Sequence, residues 1–303
     1  MLYSSRYSDL TVMRRLLQFL GGFTGLLFAF TSAAAESETT PYNITRDIYY
    51  VDETQPDRDL QSLDIYWQSE QDKLPVIIYV HGGGWLFGDK ADIHRKPDYF
   101  LPRGIAVISM NYRLRWEYRI FDQLEDVTSV IVWVKNNAET YGLDASKIIL
   151  MGHAAGAHLV SLVGTNHSYL KAVGLSLGDI VSVVAIDTAS FDINRLMIEL
   201  GSFIERRHHQ LIFGGDEEVW RQSSPIHHVA SGKNIPAFAI LYVAQDEETK
   251  LQAMGFAKKL SAAEVETIMI PGNEKTAQSI NEELGKKGDI YTLALMTFIR
   301  AKI

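Results

Sequence analysis

"IILMGHAAGAHL" spans residues 148–159. An apolar run leads into Gly152, and from Ala154 onward small and apolar residues recur at helical spacing. This predicts a buried strand that turns directly into a helix over 154–164. Gly152 and Gly156 stand four apart across the junction. A turn that sharp leaves little room for side chains beside the strand, so the glycines keep clear of it. The residue between them, Ala154, projects at a helix N-terminus, where partial positive charge favours a reacting oxygen. That position suits a nucleophile. Here it carries a methyl group, which can neither attack a carbonyl nor hand a proton to a histidine.

Upstream and downstream the same alternation continues. "SLDIYWQ" (62–68) alternates like a strand, and "LPVIIYVHGGGW" (74–85) is a buried strand running into glycines. "GIAVISMNYRL" (104–114), "SKIILMG" (146–152), "IVSVVAIDT" (180–188), "AFAILYVA" (237–244) and "VETIMIPG" (265–272) predict further strands. Helices are predicted over 121–142, 248–263 and 289–301. Strands alternating with helices imply an α/β fold, a mostly parallel sheet with helices on both faces. Residues 191–232 show no clear period. They read as a small irregular insertion over the C-terminal edge of the sheet, where open α/β sheets bind ligands.

In chain order, "HGGGW" with "GDK" (81–90), "NYRL" (111–114), "LEDV…WV…YGLD" (124–144), the junction itself and "SPIHHV" (224–229) resemble the α/β-hydrolases of the esterase and lipase type. Within that superfamily they are most similar to the bacterial carboxylesterase, feruloyl-esterase-like and arylformamidase-like group. The resemblance covers residues 60–300 and implies an α/β-hydrolase fold. It also implies a nucleophile elbow at 154 bracketed by Gly152 and Gly156, with an oxyanion hole formed by the amides of Gly83, Gly84 and Ala155. The triad acid would follow the strand at 237–244, at Gln245 or, one residue on, Asp246. The triad histidine would fall at Ala277. The nine histidines lie at 81, 94, 153, 158, 167, 208, 209, 227 and 228, so none follows 228. The nucleophile and base positions therefore both hold alanine. The expectation is a protein of carboxylic-ester-hydrolase descent that is inactive or nearly so by serine chemistry, natural or deliberately inactivated, and that retains a small ester or carboxylate ligand. The alternatives are an active carboxylesterase using other residues, and a partner-binding protein on a hydrolase scaffold. Ser161, Thr188 and Ser190 are the hydroxyls nearest the junction, each read as bonded to backbone.

The 303 residues carry a net charge of −8 and no basic cluster interleaved with aromatics, which gives no support to a nucleic-acid partner. There is no cysteine, hence no disulfide and no thiolate metal site. His208-His209 and His227-His228 are adjacent pairs whose side chains diverge, so they are read as surface residues and no metal or cofactor is expected. Arg14 and Arg15, the apolar run that follows, and Ala33-Ala34-Ala35 have the order of a secretory signal peptide cut near Ala35. This predicts a leader over 1–35 and one secreted or periplasmic domain over 36–303, with no membrane contact after cleavage.

Overall fold

The computed structural model describes residues 42–303, apart from 53, 55–57, 70, 72 and 116, and the predicted leader lies outside them. Eight strands form one sheet: β1 (Asn43–Tyr49), β2 (Ser62–Trp67), β3 (Leu74–Val80), β4 (Ala106–Met110), β5 (Leu143–His153), β6 (Ile180–Ile186), β7 (Ala237–Val243) and β8 (Thr267–Gly272). Their order is β1-β2-β4-β3-β5-β6-β7-β8. β2 runs antiparallel to β1 and β4, and from β4 to β8 every pairing is parallel. This is the α/β-hydrolase architecture.

The continuous apolar runs have a simple cause. Alternate residues of β3 serve two separate cores. Val76, Ile78 and Val80 join the core on one face of the sheet, and Ile77 and Tyr79 join the core on the other. Helices α1 (Lys96–Phe100), α2 (Ile120–Asn137), α3 (Ala155–Thr165), α4 (His167–Ala172) and α5 (Ile193–Arg195) follow in the first two thirds of the chain. After them come α6 (Phe203–Phe213), α7 (Glu217–Gln222), α8 (Pro225–His228), α9 (Glu247–Ala262), α10 (Ser279–Glu282) and α11 (Ile290–Arg300). Val127, Val130 and Ile131 of α2, the apolar side of α3 and Phe256 of α9 pack on the first face. Phe100 of α1 and Leu295, Phe298 and Ile299 of α11 pack on the second.

The motif residues upstream of the junction are largely structural staples. Asn111 accepts from the Lys90 amide at 2.6 Å and donates to Asp89 at 3.1 Å. The Lys90 ammonium pairs with Asp64 at 2.7 Å and Asp47 at 2.6 Å. Arg113 clamps Asp126 through its side chain at 2.9 Å.

Three expectations change. β1 is a strand the sequence hides, because its exposed edge gives no apolar alternation. The helix after the junction begins at Ala155, not Ala154. The stretch 191–232 is helical rather than irregular. Ser202 and Glu205 form a reciprocal capping box that starts α6.

The glycine spacing has a backbone cause. A Cβ on Gly156 would lie 2.1 Å from the Val80 carbonyl oxygen and 2.6 Å from that of His81. Gly156→Ala should therefore lower stability by about 3 kcal/mol or more, since backbone in a central strand cannot retreat. Gly174→Ala, with open space around its Cβ but a φ of +78°, should cost only about 1 kcal/mol. Thermal unfolding of the two variants checks this ranking.

Candidate active site

β5 pairs with β3 so that Gly152 stands beside Val80. The chain then turns in one residue. Ala154 has φ 49° and ψ −112°, a region that costs an L-residue on the order of 1–3 kcal/mol. Its amide donates to the Ile186 carbonyl at 2.9 Å, and its carbonyl accepts from the His158 amide at 3.1 Å, so both ends of the strained unit are fixed. The methyl group thus stands in the strained conformation that projects a side chain from the turn.

The glycine loop lies against this turn. A Cβ on Gly82 would be 3.4 Å from the Ala154 Cβ. Gly83 and Gly84 have φ of +112° and +61°, and Gly83 accepts from the Phe87 amide at 3.0 Å. Gly88, from the "GDK" motif, has φ +106°, and a Cβ there would meet the His81 ring at 2.3 Å. His81 stacks on Tyr112 with centroids 4.3 Å apart, and the Tyr112 hydroxyl donates to the His81 carbonyl at 3.1 Å. Ala155 opens α3, where the first amides lack intrahelical acceptors.

The third segment arrives from β8. The His153 Nε2 lies 2.9 Å from the Ala277 carbonyl oxygen, and its Nδ1 would be 2.9 Å from a Cβ on Gly82. His153 therefore bridges the turn, the glycine loop and the segment carrying Ala277. Behind that segment sits a group the sequence reading missed. Lys96 is fully buried, donates to the Asn281 carbonyl at 3.1 Å and lies 4.4 Å over the Tyr79 ring. Burial pulls its ammonium down to about 7. No motif marks it, since a buried lysine reads as a surface one. A cavity of about 240 Å³ opens beside Gly82, Gly83, His153 and Asn281.

At the acid positions, Asp246 is the N-cap of α9, its carboxylate accepting from the Thr249 amide at 3.0 Å. Gln245 is exposed. Both stand at the same end of the sheet as Ala277, since Val243 pairs with Gly272. A buried carboxylate not singled out from the sequence stands close by: Asp187, at φ 50°, accepts from the Val243 amide at 3.0 Å. Burial raises its pKa.

α6 closes over the glycine loop. The His208 ring would lie 3.0 Å from a Cβ on Gly84 and stacks on Trp85 with centroids 5.9 Å apart. His209 is buried rather than a surface residue. Its Nδ1 donates to the Glu205 carbonyl at 2.8 Å, which leaves Nε2 to accept from the Ser190 hydroxyl at 3.0 Å. Ser190 thus bonds to a side chain rather than to backbone. Both groups are under a tenth exposed, and the pair pins α6 to the segment between β6 and α5. Ser161 is buried with no partner for its hydroxyl among the described residues. His158 of α3 makes a second tie: Nε2 donates to the Ser223 carbonyl at 2.7 Å and Nδ1 accepts from the Trp85 indole at 3.3 Å. His227 Nε2 lies 3.8 Å from the Asp192 carboxylate and His228 Nε2 lies 2.8 Å from the Gln222 carbonyl oxygen, and among the described residues no three His, Asp or Glu side chains could hold a metal ion.

The chain matches the BD-FAE family model over residues 63–260. It belongs to the BD-FAE family. It is 27% identical over 230 residues to Esterase LipC of Mycobacterium tuberculosis, covering 70% of this chain and 56% of that one. It is 32% identical over 142 residues to isoprenylcysteine alpha-carbonyl methylesterase ICME of Arabidopsis thaliana, covering 46% of this chain and 32% of the relative. The chain therefore spans about half or less of the length of these relatives. Esterase B of Lactobacillus rhamnosis has the same fold, with a TM-score of 0.71 at 20% identity over 87% of this chain and 86% of that one. A truncated carbohydrate esterase from gut microbiota matches at 0.71 and 21%, over 88% and 98%. The BD-FAE chain described here is thus related to carboxylesterases of the α/β-hydrolase fold.

Burial holds His158 and His209 down to about 4, from an ordinary value of 6.5. The unfolded chain therefore binds more protons than the folded one between these values. Stability should be complete above about pH 6.5 and fall as pH drops toward 4, by roughly 3 kcal/mol per histidine. Urea unfolding across that range checks this, and His209→Gln should remove its share of the slope.

Proposed function

We propose that this protein is an exported member of the BD-FAE family that binds a small ester or carboxylate and does not turn it over by serine chemistry at residue 154. The observation that carries this reading is Ala154 itself. It keeps the strained geometry of a nucleophile elbow, φ 49° and ψ −112°, with a methyl group in place of an oxygen. The base position gives independent support, since Ala277 supplies only its carbonyl oxygen to His153. Burial lowers His153 to about 4, so at neutral pH its ring is uncharged. Its Nε2 is engaged at Ala277 and is not free to take a proton from residue 154.

The amides of Gly83, Gly84 and Ala155 serve as preset donors for the oxygen of the bound ligand. In serine hydrolases, loss of the nucleophile or base costs about six orders of magnitude in turnover, and binding and donors alone leave roughly 10³–10⁴ over water. Only a trace of that size is consistent with this reading. The engagement of Asp246 as a helix cap favours Gln245 as the acid position. The arginines, apolar run and small residues over 14–35 support export with cleavage near Ala35. The exported chain should begin near Glu36 by mass spectrometry.

Repair of the site tests the assignment. Ala154→Ser alone and Ala277→His alone should leave short p-nitrophenyl esters unhydrolysed, because each lacks its partner. The pair should hydrolyse them measurably, and adding Gln245→Asp should raise the rate further by orienting the imidazole. A folded triple variant no faster than the parent would overturn positions 154, 245 and 277. Turnover by the unmodified chain that is lost in Gly84→Val would overturn the claim of inactivity. Melting temperatures with an ester and carboxylate panel test the binding claim; no shift on any ligand sinks it.

A further inference from the structure

α6 carries an apolar stripe on the side away from the core. Phe203 is 74% exposed, Ile204 79% and Leu211 54%, and Ile198, in the turn before the helix, is 63% exposed. Phe203, Arg207 and Leu211 are four apart in sequence, and Ile204 and Arg207 are three apart, so these residues form one continuous face. The opposite face, with His209, Ile212 and Phe213, is buried. Isolated exposed apolar residues need no explanation, but a contiguous set of large ones marks a contact surface.

Charge selects what contacts it. Arg207 is exposed in the middle of the stripe and Arg206 is half-buried beside it. The one acid of the helix is turned away: the Glu205 carboxylate accepts from the Ser202 amide at 2.6 Å. Apolar anchors around arginines on one helical face suit a surface with acyl chains below and anionic groups above. The same helix holds His208 over Gly84, and Phe87, 61% exposed, lies in the glycine loop. The helix that bears the stripe therefore reaches the rim of the candidate site.

We propose that α6 docks this protein, peripherally and reversibly, on an anionic phospholipid surface. Phe203, Ile204 and Leu211 insert at the headgroup boundary and Arg206 and Arg207 pair with lipid phosphates. This departs from the sequence-level expectation of no membrane contact, and it stands independently of whether the site binds an ester. Among the described residues no helix is long and apolar enough to span a bilayer, so contact through them is of this surface kind.

Flotation of the purified full chain with phosphatidylcholine vesicles, with and without phosphatidylglycerol, tests the proposal. The chain should float with the anionic vesicles. Arg206→Gln and Arg207→Gln should each weaken partitioning about fivefold, the worth of one basic residue near such a surface. Phe203→Asp with Ile204→Asp should abolish flotation while the melting temperature holds, since both side chains are exposed. Three results would overturn it: no flotation, flotation unchanged in the Phe203/Ile204 variant, which assigns the contact to another segment, or a vesicle-free dimer that this variant dissociates, which makes the stripe a protein interface.

Discussion

The close approach of α3 to β3 is the constraint on which the rest of the site depends. Gly156 lets the helix backbone lie against the carbonyls of Val80 and His81, and Gly152 clears the Gly156 carbonyl in turn. With α3 held there, the chain has one residue in which to reverse between β5 and α3, and Ala154 absorbs the strain. The same contact sets where the glycine loop leaves β3, and hence where Gly83 and Gly84 stand relative to the turn. His153 then ties the segment from β8 to both. Backbone clearance, rather than any reactive side chain, builds the site.

The covering helix is held differently. Trp85, His158, His209 and Phe213 form a buried aromatic cluster whose polar atoms all find partners: His158 on Ser223, Trp85 on His158 and His209 on Ser190 across elements, and His209 on Glu205 within α6. Each imidazole donates from one nitrogen and accepts at the other, an arrangement open only to the neutral ring. The cluster therefore serves as a structural joint.

What the sequence made legible follows from these two kinds of contact. The strand-to-helix junction and the glycine loop were readable because glycine is demanded where backbone meets backbone, and that demand leaves a mark at fixed spacing. β3 and β5 were readable because burial on both faces makes their residues continuously apolar. β1 was not, since an edge strand with exposed faces has no such pattern. α6 was hidden for the opposite reason: apolar residues lie on both its faces, so no period stands out, although the Ser202–Glu205 capping box was there to be read. His209 and Lys96 were misread or missed because composition assigns such residues to the surface, and only tertiary packing buries them. The choice between Gln245 and Asp246 turned on a helix boundary, the least certain feature of a sequence reading.

The strain at Ala154 also shapes how this lineage can change. Serine lies within a point mutation of an alanine codon, whereas histidine does not. The turn already imposes the strained backbone at position 154, so a serine could enter there with little change in fold. Position 277 has no comparable short path. On the proposed assignment of positions 154 and 277, drift can therefore visit the first residue many times before the second ever changes with it.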